Sequence, residues 1–171
     1  MLSLNLPVIL ACGFIPMVIG FLYYHPKTLE PAWMKSTGLT REEVDGGNML
    51  MIIGISYLLA CGLSAMMAGF SIHQSSLQAL FIMEPSFQDP NSEMSQMFDA
   101  MMAKYGDRHR TFGHGVVHGM FMGLLVAFPI IAIKSLFERK SWKHIIISAL
   151  YWLIVIVLIC GVTCQWGMTM T

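Results

Sequence analysis

Charge is what this sequence has least of. Only 12% of its 171 residues are Asp, Glu, Lys or Arg, about half the share usual in soluble domains. None occurs in 1–26, 46–83, 111–133 or 144–171, tracts of 26, 38, 23 and 28 residues. That gap argues against a water-soluble globular fold. Neither sign is in excess, with 10 basic and 10 acidic residues, so no polycation is available for a nucleic-acid backbone. No Lys or Arg precedes Lys27, which removes the basic start of a cleaved signal peptide, and the first segment is expected to be retained. The same lack argues against reading Ile9-Leu10-Ala11-Cys12 as a lipoprotein cleavage site. There is no Gly-rich phosphate loop, no nucleophile elbow and no Cys-x-x-Cys pair, so the common nucleotide, hydrolase and membrane thiol-oxidase chemistries lack their residues.

What is present is apolar: 56% of the chain. A helix crossing hydrocarbon needs about 20 mostly apolar residues, and each charge-free tract provides them. The sequence predicts an all-α integral membrane protein with four transmembrane helices at about 6–24, 49–71, 113–133 and 145–164. Pro16 inside the first removes a backbone donor and predicts a kink. Thr40-Arg41-Glu42-Glu43 is a capping box, so a helix is expected to start there and run into the second span, bent at Gly46-Gly47.

Loops one and three carry Lys27, Lys35, Arg41, Lys134, Arg139, Lys140 and Lys143, whereas loop two carries Lys104, Arg108 and Arg110. Because basic residues favour the cytoplasm, loops one and three are expected inside, and loop two and both termini outside. Within loop two, Asn91 or Ser92 can cap a helix over about 92–105 that stops at Gly106. Met94, Met97, Phe98, Met101, Met102 and Tyr105 recur along it at three- and four-residue spacing, predicting an amphipathic surface helix that lies on the membrane or on the bundle.

The first loop reads Tyr23-Tyr24-His25-Pro26, Ala32-Trp33-Met34-Lys35, Gly38-Leu39-Thr40 and Glu42-Glu43. The second half holds Leu136-Phe137-Glu138, Tyr151-Trp152, Gly161 and Trp166. In these motifs the sequence resembles the bacterial membrane-protein family catalogued as domain-of-unknown-function family 1761. The order Tyr-x-Pro, Trp, Gly-Leu-Thr-x-Glu-Glu is distinctive, and the resemblance covers spans one, three and four with both inner loops. It implies a small four-helix protein of the bacterial inner membrane, and it implies no activity. The methionine helix of loop two and the histidine pair of span three depart from the family pattern. Separately, Gly20-x-Leu22-x-x-x-Pro26 and Gly123-x-Leu125-x-x-x-Pro129 share their spacing, which either a duplicated hairpin or chance in apolar sequence explains.

Several residues can carry chemistry. His114 and His118 are four apart, which puts both imidazoles on one helix face within reach of one ion. His73 is expected at the same outer end, with His109 and Asp107 in the intervening loop as further ligands. Two readings stand side by side: interfacial histidines bonded to carbonyls or water, and a metal site for zinc or copper. A haem held by His73 with His114 or His118 is the other cofactor these residues can serve. Met94, Met97 and Met101, with Cys12, Cys160 and Cys164, have the softness copper(I) prefers, although methionine faces are ordinarily packing. Cys12 can also pair with Cys160 or Cys164 on an oxidising side. Gly115, Gly119 and Gly123 form a smooth stripe for close helix approach, within the monomer or between copies. A second stripe runs through Cys61, Ala65 and Gly69. The spans hold only scattered polar residues, so a pore would require oligomers.

The composition predicts a small membrane protein surrounded by lipid, and the resemblance implies the bacterial inner membrane. The expected role is that of a non-enzymatic subunit or homo-oligomer, partnered by itself or another membrane protein. The alternative is a metal or haem site at the outer ends of spans two and three.

Overall fold

The computed structural model describes residues 1–170. The chain is mostly helical, and four of its helical runs are long and apolar enough to cross a membrane: Leu6–Tyr23, Met49–Ser71, Phe112–Phe137 and Trp142–Trp166. Leu50, Phe21, Leu59 and Leu125 on these runs are 85%, 72%, 70% and 68% exposed. In water each such side chain would forgo about 1.5–3 kcal/mol of burial; against hydrocarbon the exposure costs nothing, which fits a membrane environment.

The first run is two helices, α1 (Leu6–Cys12) and α2 (Ile15–Tyr23), broken at Gly13-Phe14. The break falls just before Pro16, which takes its place in the first turn of α2, where its missing N–H leaves no bond unmade. Helix α3 (Glu30–Thr37) ends on Gly38 at φ +80°, and α4 (Arg41–Asp45) starts with the Thr40 capping box. The predicted continuation of α4 into the second span does not occur. Helix α4 stops at Asp45, and Asn48 caps a new helix, α5 (Met49–Ser71), by accepting from the Met51 amide. A cap of this kind contributes about 1 kcal/mol, enough to restart the helix after two glycines.

Segment 72–111 is more structured than the single helix expected there. Helix α6 (His73–Phe81) is followed by a short 3₁₀ turn and by α7 (Glu93–Tyr105), capped by Ser92. The apolar face of α7 buries Phe98 and Met102 against Leu2 and Phe87, with Leu77, Phe81, Met94 and Met168 around them. The two chain ends complete this cap: β1 (Leu2–Leu4) pairs antiparallel with β2 (Met168–Met170). The Gln78 side chain bonds both the amide and the carbonyl of Leu2, as a third strand would.

The third run comprises α8 (Phe112–Met122), one wide turn over Gly123–Ala127, and α9 (Phe128–Phe137). The wide turn sits directly ahead of Pro129, whose missing donor the i→i+5 geometry absorbs. Helix α10 (Trp142–Trp166), capped by Ser141, is the central post. Its Val155, Ile156, Ile159 and Cys160 pack with Met67 of α5, and Ile15, Ile19, Leu63, Met122 and Tyr151 surround them.

Gly115, Gly119 and Gly123 all face α10. A Cβ there would lie 2.2 Å from the Cys160 carbonyl oxygen, 2.5 Å from Val157 Cα and 2.3 Å from Leu153 Cδ1. The α8–α10 approach thus leaves no room for a side chain at Gly115 or Gly119, where backbone atoms stand in the way, whereas at Gly123 the Leu153 side chain would have to swing aside. Of the second stripe, Gly69 meets nothing within 4 Å.

Candidate metal centre

Four of the six histidines gather at the end of the molecule that carries both termini. Local sequence accounts for each placement. Thr111 caps α8 by accepting from the amide of His114 at 3.2 Å, so His114 sits in the first turn and His118 one turn further along the same face. On the facing segment, Ile72 is extended (φ −100°, ψ 103°) and breaks the chain between α5 and α6. That break turns His73 out of the span and toward α8. The turn preceding α8 is tied down from α6, where Gln74 Nε2 donates to the carbonyls of Tyr105 (2.7 Å) and Arg108 (2.9 Å). From α10, Gln165 Oε1 accepts from the Phe112 amide at 3.0 Å.

The result is a convergence of three ring nitrogens. His114 Nε2 lies 3.0 Å from His73 Nε2 and 3.0 Å from His118 Nε2, and the ligand atoms of all three residues fall within 4.8 Å of one another. An imidazole nitrogen has one in-plane position, filled by a proton or by a lone pair. His114 Nε2 can therefore make a hydrogen bond to one neighbour but not to both. Three lone pairs aimed at one point are instead what a cation requires. The ring centroids are 5.1 Å (His73–His114), 5.0 Å (His73–His118) and 4.7 Å (His114–His118) apart. The edge of the His118 ring meets exposed Phe70 at 5.4 Å. His73 is exposed, and His114 and His118 are half-buried.

Asp107 and His109 contribute no atom to the three-residue group among the described residues. The His109 ring lies beside it, 5.0 Å from that of His114 and inclined at 27°. The other two histidines are at the far end of the molecule: His25 Nδ1 accepts from the Lys27 amide, and His144 Nδ1 meets Ser36 Oγ at 3.2 Å.

The softer side chains do not gather into a site of their own among the described residues. Met94 packs in the cap core, Met97 is exposed and Met101 half-buried, and Cys12, Cys160 and Cys164 are buried free thiols. Cys164 stands out in the sequence only as a soft ligand or disulfide partner; what sequence reasoning missed is its packing role, since its Sγ lies 3.5 Å from the Ser71 and His109 carbonyls and so touches the backbone of both segments flanking the histidines. No local pattern signals this contact, because it joins residues 93 and 55 positions apart.

Fold and site together define a mostly helical protein of membrane type with a three-histidine cluster at one end of its apolar helices. Residues 7–164 match the family described as "Protein of unknown function (DUF1761)", and the chain belongs to that family. Comparison with curated proteins and with solved structures finds no match.

Proposed function

We propose that this is a four-span integral membrane protein that holds a divalent transition metal, zinc foremost, through His73, His114 and His118. The observation that carries the reading is the position of His114 Nε2, 3.0 Å from both partner nitrogens. With metal–nitrogen bonds of about 2.0–2.1 Å, a tetrahedral ion separates its nitrogens by about 3.3 Å and its imidazole centroids by about 5 Å. The observed ring spacings of 4.7–5.1 Å match that figure, and the two 3.0 Å nitrogen pairs at His114 need to part by only a few tenths of an ångström. Neutral imidazoles without thiolate or thioether suit zinc and its divalent neighbours rather than copper(I). Haem fits poorly, because axial nitrogens stand about 4 Å apart with the macrocycle between them, and a 3.0 Å gap leaves no room for it.

The test is the metal content of protein purified without chelator or histidine tag, beside the His114→Ala, His118→Ala double variant. The expected result is close to one metal per chain, lost in the variant with its helical signal intact. A folded wild-type protein without metal after zinc loading would overturn the reading.

The proposed location is a bacterial inner membrane with both termini and the histidines on the outer side, a reading supported by the basic residues of the first and third loops and by the family resemblance. A cysteine introduced at exposed Asn91 is expected to react with an impermeant reagent from outside; labelling only from the cytoplasm would reverse the orientation. The reading as a non-enzymatic subunit or homo-oligomer is compatible with this one. It draws support from α5, where Gly54, Gly62 and Gly69 meet nothing within 4 Å and, with exposed Leu58 and Met66, lie on a face the chain itself does not cover.

A further inference from the structure

Three imidazoles leave one vertex of a tetrahedron unfilled, and the identity of the fourth ligand decides what the metal can do. A site with a water there is open for chemistry, whereas a fourth protein ligand makes it a closed, holding site. Resting on the three-histidine reading, we infer that His109 is the fourth ligand and closes the site into an all-imidazole tetrahedron.

Ring positions are the first support. The His109 centroid is 5.0 Å from that of His114, the same spacing that separates the three converging rings from one another, and 6.3 Å from that of His73. Of the three edges that meet at a fourth vertex, the one to His114 is already in place and the one to His73 is about 1 Å too long. The backbone is the second support. His109 has φ +65°, one of two non-glycine residues with positive φ, a conformation that costs an L-residue roughly 1 kcal/mol. Its carbonyl is held by the Thr111 amide and by Cys164 Sγ, and the preceding carbonyl, of Arg108, is held by Gln74. The main chain is anchored in that strained shape while the side chain is exposed. The ring would therefore reach the fourth position by side-chain rotation, with the main chain held where it is. Asp107, exposed in the same turn, lacks both the ring contact and the unusual backbone. Ligation leaves every oxidation state unchanged: neutral His109 donates a lone pair and displaces one metal-bound water.

The experiment uses full-length protein in detergent loaded with Co(II), whose visible spectrum reports coordination number, together with X-ray absorption to count imidazoles. The comparison variants are His109→Asn and His109→Gly, residues that tolerate the left-handed backbone, and His118→Asn as a reference. Wild type is expected to show four imidazoles and no water. The His109 variants are expected to show three imidazoles plus one oxygen, with affinity lowered about tenfold or more. Three imidazoles and an oxygen in wild type, unchanged in both His109 variants while His118→Asn abolishes binding, would overturn the role of His109 and leave the three-histidine site standing. No Co(II) uptake by wild type would overturn both.

Discussion

The Cys164 thiol, on α10, points at the carbonyl oxygen of His109 across 3.5 Å, and the carbonyl of Ser71 lies at the same distance. One buried sulfur thus ties the turn that carries His109 and the end of α5, next to His73, to a common point on the central helix. A thiol has a single proton, so it bonds one carbonyl at a time and is a weak donor to each. Its bulk, fully buried beside Gly115, matters as much as the hydrogen bond. Cys164→Ala is expected to cost about 1–2 kcal/mol of stability and to weaken metal binding several-fold, read by thermal unfolding in detergent and by metal titration. Cys164→Ser restores a donor and is expected to recover most of the metal affinity. An alanine variant with unchanged metal affinity would show that the two segments hold their places without this contact.

At the opposite end, Glu30 accepts two hydrogen bonds from Arg41, at 2.9 and 2.8 Å. This fork, with the guanidinium charge behind it, holds the Glu30 carboxyl below the usual carboxylate range. A depressed folded-state value means that the ionised form is favoured by folding. The contribution is therefore fully present above the unfolded value of about 4.3 and is lost as pH falls through the lower folded value. The Glu30 titration, followed by carboxyl-carbon NMR, is expected to move up toward the ordinary carboxylate range in Arg41→Gln. An identical midpoint in the variant would remove Arg41 as the cause.

The four apolar helices are legible in the sequence because hydrocarbon imposes a composition: a charge-free tract of sufficient length is itself the physical requirement. The spacing of His114 and His118 is legible for a similar reason, since i and i+4 share a helix face whatever surrounds them. Other features depend on partners far along the chain. Nothing near Leu2 announces a strand, because its partner is Met170 at the other terminus. Helix α6 hides in a charge-free stretch where Gln74 and Gln78 look like ordinary polar residues; their amides turn out to clamp the backbone of the α7–α8 turn and of β1. The restart at Asn48 departs from the expected continuous helix because a capping box specifies where a helix begins and says nothing of where it stops. The stripe of Gly115, Gly119 and Gly123 declares a close approach without naming the approaching helix. Only the assembled fold shows the backbone and side chains of Leu153, Val157 and Cys160 filling that role.

Gly119 and Gly62 allow the packing argument to be tested by one substitution at two sites. A methyl at Gly119 would lie 2.5 Å from Val157 Cα and 3.1 Å from the Ile156 carbonyl oxygen, both backbone atoms of α10 that cannot swing aside. At Gly62, on α5, a methyl meets nothing within 4 Å. Gly119→Ala is therefore expected to force α8 off α10 and to cost about 1–3 kcal/mol, whereas Gly62→Ala stays within about 0.5 kcal/mol of wild type. The consequence reaches the metal centre, because α8 carries His114 and His118 while His73 belongs to a different segment. Displacing α8 spreads the three nitrogens, so Gly119→Ala is expected to lose metal affinity along with thermal stability, and Gly62→Ala to keep both. If Gly119→Ala lowered stability alone, the histidine cluster would be set by the Thr111 cap and the α6 anchors rather than by the α8–α10 contact.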